Sequence, residues 1–346
     1  MLIRLGTHRV GGDWFTATTG LLWRTSVYNR ANYVRLLTLA LLWGASFLFI
    51  KLGLAAMSPT QVAFSRITLG AVVLVGLCLL NGLRLVSPAS PEGRRLWGTI
   101  AGAAVFSNVL PWVLFGLGER TVDSGIAGVL NATTPLWTVV FGLAFGTQRS
   151  LPPPRLLGLL LGFSGVVVIL APWHGSSGLL GWGALACLGA AMSYGIGFVY
   201  IGRGLNGSGS DGQRLSPLTV GAMQMSAATG IAVLTLPLGG LGPVELAPVP
   251  LLAVGVLGVF GTGFAFALQL RIVSDEGATT ASTVTYLMPI VSVLLGWMVL
   301  DESFDPRVLL GMLIVLVGVA LSRTNVRGGR KPRNDAERKT PEPARD

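Results

Sequence analysis

The chain has 346 residues, 51% of them hydrophobic and only 12% charged, with 48 glycines and a formal net charge of +10. Soluble domains carry about 25% charged residues, so a water-soluble fold of this length lacks the polar covering it needs, whereas a bilayer removes that demand. The positive balance does not point to nucleic acid, because the basic residues sit in loops and tails between apolar runs, the pattern of loops retained in the cytoplasm.

Residues 1–35 contain no uncharged run long enough to cross a bilayer and no cleavable signal pattern, so they are expected to form a cytoplasmic N-terminal arm. Apolar runs of spanning length follow at 36–55, 61–81, 98–118, 125–146, 156–173, 180–201, 217–238, 249–270, 278–300 and 307–322. A span needs about 20 residues, and the fifth and tenth runs are short by that measure. The runs predict an all-α integral membrane protein of ten transmembrane helices. Residues 323–346, rich in Arg, Lys and Pro, are expected to be a disordered basic cytoplasmic tail. With the N-terminus inside, every Lys and Arg lies on the cytoplasmic side except Lys51, Arg66, Arg120 and Arg307. That division requires an even number of crossings with both ends inside.

Cys78 and Cys187 lie inside apolar runs without metal-ligand spacing and read as packing residues. His8 and His174 are too few for a metal site, and no phosphate-cradling loop with its lysine is present. No metal, cofactor or catalytic group is expected.

The third and fourth runs align with the eighth and ninth at an offset of 154 residues. Val105/Val259, Phe106/Phe260, Leu114/Leu268, Ala127/Ala281, Pro135/Pro289, Val139/Val293 and Gly142/Gly296 are identical pairs. Two five-helix halves, 36–173 and 180–322, are therefore expected. Because five is odd, the second half enters the membrane inverted, an arrangement that suits alternating access around a site near the midplane.

Over residues 36–322 the sequence resembles the EamA-like drug/metabolite transporter superfamily. The resemblance rests on LLWGASFLFIKLGL in the first run, SPTQVAFSR with Arg66 opening the second, Pro135 and Pro289 in the fourth and ninth, and GWMVLDESFDPRVLLGMLIVLVGV, which carries Glu302. It implies ten helices, inner-membrane location, and export or exchange of small metabolites such as amino acids, or of drugs. Two departures matter. The acid expected at the end of the fourth helix to match Glu302 is Gln148, and the first helix has no acid, so the proton exchange of small four-helix multidrug relatives does not carry over.

Proline inside a helix frees the carbonyl four residues earlier, here Asn131 for Pro135 and Thr285 for Pro289. Asn131, Thr134, Pro135 and Thr138 share a helical face, as do Ser282, Thr285, Pro289 and Ser292. The two stripes are expected to line a central substrate cavity; the competing reading is that these groups bond their own helices and shape kinks. Arg66 costs about 2.5–3.5 kcal/mol at a helix centre. Either it snorkels to the outer surface or it holds a substrate carboxylate. Trp43, Asn108, Trp112, Tyr194, Gln269 and Tyr286 are further candidates for the pocket. Asp275 with Glu276, and Asp301 with Glu302, read as solvated caps flanking the ninth helix, with proton coupling as the competing role.

A secondary transporter for small molecules is thus the expected function, with the lipid bilayer as surroundings and a monomer or homodimer as the assembly. Gly158 and Gly162 could serve a dimer or internal packing equally. The rival class is a polytopic membrane enzyme acting on lipid-linked substrates, which would need acids or histidines clustered at one membrane face. A channel would need a ring of pore-lining charge.

Overall fold

The computed structural model describes residues 30–148, 151–173, 181–204, 215–239, 242–303 and 305–322; the expected tail 323–346 and most of the arm lie outside this set. Among the described residues every regular element is helical. In chain order these are α1 (Arg30–Gly53), α2 (Pro59–Leu80), α3 (Pro91–Gly118), α4 (Ser124–Ala144), α5 (Pro153–Leu170), α6 (Trp182–Gly204), α7 (Pro217–Gly239), α8 (Pro248–Glu276), α9 (Val284–Leu300) and α10 (Pro306–Ser322). The first eight are long and apolar enough to cross a membrane, while α9 and α10 are shorter, at 17 residues each.

Local chemistry sets many of the starts. Ser58 caps α2 in a capping box, accepting from the Gln61 N–H while the Gln61 carboxamide accepts from the Ser58 N–H. Ser90 accepts from the Gly93 N–H and so starts α3 at Pro91, ahead of the apolar run. Proline occupies the first turn of α2, α3, α5, α7 and α8, where its missing N–H costs nothing.

Four helices are irregular. The long helices α3 and α8 each contain a π-helical segment, Val105–Val109 and Val259–Phe264, again 154 residues apart at their starts. α4 breaks at Ala132–Thr133, and α7 tightens into a 3-10 helix at Val233–Gly239. Before α9, the single turn Ala278–Ala281 is separated from it by Ser282 and Thr283. The break therefore falls six residues before Pro289, whereas in α4 it falls two before Pro135.

Glycine brings several helices to backbone contact. A methyl group added at Gly318 of α10 would collide with the backbone of Gly162 and approach the Gly158 carbonyl at 2.7 Å. Gly165 and Gly311 meet in the same way, so the α5 glycines that suit a dimer are used against α10 and, for Gly162, Leu136. Gly128 of α4 lies under Ser292 of α9, and Gly44 of α1 under Val291.

Connections sort to two ends of the bundle. At one end Glu245 N–H donates to the Ala56 carbonyl, Gln61 to the Gly242 carbonyl, and Lys51 to carbonyls of the α3–α4 connection. At the other, Arg35 pairs with Asp275 at 3.0 Å, and Arg203 donates to the Phe145 carbonyl.

Candidate functional site

Arg66 lies mid-bundle on α2 with 6% of its surface exposed. It does not snorkel. Its Nε donates to Thr262 Oγ1 at 2.9 Å, and its guanidinium carbon stands 4.0 Å from the centre of the Trp112 ring. A desolvated cation over an indole gains about 2 kcal/mol, which offsets part of the cost of burying the charge. The Trp112 N–H donates to the Tyr194 hydroxyl at 2.5 Å, so Arg66, Trp112 and Tyr194 form a chain from α2 through α3 to α6.

Thr262 sits in the π-helical segment of α8. Its hydroxyl donates to the Leu257 carbonyl at 3.0 Å while accepting from Arg66, so the wide turn directs a polar group into the bundle. The corresponding residue in the α3 segment is Asn108, fully buried, which accepts from Gln224 Nε2 at 2.6 Å and donates to Met225 Sδ at 3.8 Å. Ser193 of α6 donates to the Phe106 carbonyl beside it.

The structure thus brings together four of the sequence candidates, Arg66, Asn108, Trp112 and Tyr194. It adds Gln224 and Thr262, which the sequence reading passed over. Both were findable: Thr262 is Asn108 plus 154, and Gln224 occupies the same place after Pro217 as Arg66 does after Pro59.

The other candidates stand apart from this chain. Trp43 packs edge-on against Phe266, with ring centres 6.3 Å apart. Gln269 is half-buried on α8, and Thr285 and Tyr286 are half-buried on α9, Tyr286 packing beside the main apolar core. On α4 the hydroxyls are spent locally: Thr134 donates to the Asn131 carbonyl that Pro135 freed, and Thr138 to the Thr134 carbonyl. Ser292 donates to the Pro289 carbonyl. Asn131 Oδ1 is buried without a hydrogen-bond partner.

A second polar group lies at the end of the bundle where α3, α4 and α9 meet. Glu302 is not a solvated cap of its own helix. Its carboxylate accepts from the N–H groups of Ser124 and Gly125 at 2.7 and 3.0 Å, satisfying the positive end of α4. Glu302 N–H closes on the Gly296 carbonyl, as Gln148 N–H closes on the Gly142 carbonyl, but Gln148 Oε1 is buried without a partner. Asp275 and Glu276 end α8 just ahead of the turn Ala278–Ala281, and Arg35 and Arg271 offset the exposed Asp275 there. Lys51 donates to the carbonyls of Glu119 and Val122 at 2.6 and 2.8 Å.

Glu119 follows α3 and is fully buried, both carboxyl oxygens lacking a hydrogen-bond partner. Burial pushes its carboxyl well above the usual range; Lys51 opposes the shift, Glu302 adds to it, and Arg66 also opposes it. Asp123 is raised by burial and by Glu302, against Lys51. A cavity of about 120 Å³ is lined in part by Asp123, Gly125, Trp297, Glu302 and Arg307, while Glu119 is not among its lining residues.

A model of the EamA-like transporter family matches residues 32–171 and 181–324. An uncharacterised inner membrane transporter of Escherichia coli strain K12, YedA, is 27% identical over 297 residues, covering 83% of this chain and 88% of its own. A transporter of Chlamydia trachomatis serovar L2, named for S-adenosylmethionine and S-adenosylhomocysteine, is 27% identical over 296 residues, covering 82% and 86%. A crystal structure of 21% identity shares the fold with a TM-score of 0.57, over 85% of this chain and 96% of that one.

Proposed function

The chain belongs to the EamA-like transporter family, and from that premise we propose that it is a secondary transporter moving small carboxylate-bearing metabolites across the cell membrane by alternating access. The carrying observation is the reciprocal pair of bonds at the bundle centre. Arg66 of α2 bonds Thr262 of α8, and Gln224 of α7 bonds Asn108 of α3. Each joins one half of the chain to the other, at equivalent positions, in the manner of two inverted repeats meeting around a midplane site.

In this reading α9 and α10 complete ten crossings, both termini are cytoplasmic, and the Glu119–Glu302 end faces outward. The protein sits in the inner membrane, the compartment named for the Escherichia coli relative. Arg66 is the charge that selects a carboxylate, with Trp112 stacking beneath it and Tyr194, Asn108 and Gln224 providing polar contacts. Asn131, Thr134, Thr285, Trp43, Gln269 and Tyr286 line the path when the bundle opens, with the bends near Pro135 and Pro289 as its flexible walls. S-adenosylmethionine and S-adenosylhomocysteine, named for the Chlamydia relative, both carry an amino-acid carboxylate, the group this arginine suits.

Counterflow in proteoliposomes, run with a radiolabelled panel of amino acids and of amines lacking the carboxylate, tests the proposal. Exchange of carboxylate compounds that Arg66→Ala abolishes supports it. Exchange of amines alone, or equal exchange in the variant, refutes the substrate class, and no exchange of any compound turns attention to the enzyme alternative.

A further inference from the structure

We propose that Glu119 binds a proton together with a carboxylate-bearing substrate at Arg66 and releases it when the substrate leaves, which couples transport to a proton gradient. The inference rests on the transporter reading above. Its geometric basis is a fully buried carboxyl group whose two oxygens receive no hydrogen bond. An ionised carboxylate so enclosed loses its hydration without a hydrogen bond in return, at a far larger cost than the neutral acid pays.

The groups facing Glu119 come from four elements: Lys51 on α1, Arg66 on α2, Cys187 on α6 and Glu302 after α9. Arg120 and Asp123 share its connection. Lys51 is the obvious counter-ion, yet its hydrogen bonds go to the backbone carbonyls of Glu119 and Val122. The ammonium therefore pins the connection and leaves the carboxyl without a donor. Burial also weakens the Glu119 carboxyl as an acid, in agreement with this arrangement.

The coupling follows from Arg66. Arg66 acts on the Glu119 carboxyl through charge, less strongly than Lys51 does, so a substrate carboxylate that neutralises Arg66 favours the neutral acid, and substrate is held best while Glu119 is neutral. Release reverses both events. The bonds from Ser124 and Gly125 to Glu302 break, the Asp123–Ser124 turn lifts, and Lys51 loses its anchor at Val122. Water then enters from the cavity that Asp123, Gly125 and Glu302 line. The Glu119 O–H bond breaks, its proton passes to that water, and the carboxylate left behind is met by the freed ammonium. Loading runs the same steps backwards, one proton for each substrate carboxylate.

Infrared spectroscopy of the purified protein in lipid reads the proton directly, without any substrate. At neutral pH the carbonyl stretch of a protonated carboxyl should be present, should vanish in Glu119→Gln, should shift in Glu119→Asp, and should persist in Asp123→Asn and Glu302→Gln. Its absence from the wild type, or its survival in Glu119→Gln, overturns the proposal. In proteoliposomes with the amino-acid panel, wild-type accumulation should follow an imposed pH gradient, and Glu119→Gln should lose that response altogether. An equal response in the variant refutes the coupling. A wild type that exchanges nothing refutes the transporter reading, while the infrared band still decides whether Glu119 holds the proton.

Discussion

Gln224 donates its amide to Asn108 across the bundle at 2.6 Å, and the bond is the counterpart of the one from Arg66 to Thr262. Both donors stand at the same distance from the proline that opens their helix, and both acceptors lie in π-helical segments. The frame is the same twice, but only one copy carries a charge.

Thr262→Val removes the acceptor of a buried arginine, and Gln224→Leu removes the donor of a buried asparagine. Hydrogen bonds between membrane helices contribute about 0.6 kcal/mol on average and about 1.7 at most. Each variant should lose stability in that range. The double variant should lose the sum of the two losses, since the bonds share no atom. Unfolding titrations in bicelles measure this; a loss confined to one variant would mean that the pairs are not equivalent.

Glu302→Ala leaves the first N–H groups of α4 without their carboxylate, at a cost of about 1 kcal/mol. Ser124 is fully buried beneath it. A Ser124→Cys reporter should therefore become reactive toward a membrane-impermeant maleimide when Glu302→Ala is added, and from one side of the membrane only. Equal labelling with and without Glu302 would show that the carboxylate does not hold that end closed.

Burial holds the Glu119 carboxyl well above the ordinary glutamate range. A group with a raised folded-state pKa stabilises the fold below the unfolded value and loses that contribution as pH rises through the folded one. Wild-type thermal stability should thus fall as pH climbs from the ordinary glutamate range through the raised value. Glu119→Gln should flatten this part of the profile. A decline unchanged in the variant assigns the dependence to another group.

Gly318→Leu forces a side chain against the backbone of Gly162, which cannot rotate away. Overpacking costs about 1–3 kcal/mol even where side chains can yield, so the melting temperature should drop sharply. Gly76→Ala, where an added methyl group meets nothing within 4 Å, should be neutral or gain up to about 1 kcal/mol of helix propensity. Similar melting of the two variants would contradict the packing.

The apolar runs marked where the helices lie, because the bilayer demands continuous apolar length and little else does. They missed the ends whose determinants are polar: α3 starts earlier through Ser90, and α8 runs on to Glu276 with Arg35 paired to Asp275. Arg66 and Asn108 were conspicuous as polar residues inside apolar runs, whereas Thr262 is chemically ordinary and gains meaning from the offset to Asn108. Glu119 was illegible. An acid at the end of an apolar run reads as solvated, and only the packing of α6 and the turn of Lys51 onto carbonyls bury it. Glu302 misled for the same reason, since its partner lies 178 residues away in the chain.

The glycine contact between α5 and α10 has a mechanical meaning. Backbone seated in backbone grooves resists sliding, because any shift along the axis drives Gly318 or Gly311 into a neighbouring turn. The pair joins the last helix of each run of five, so a backbone displaced at this seam is felt at the end of both runs.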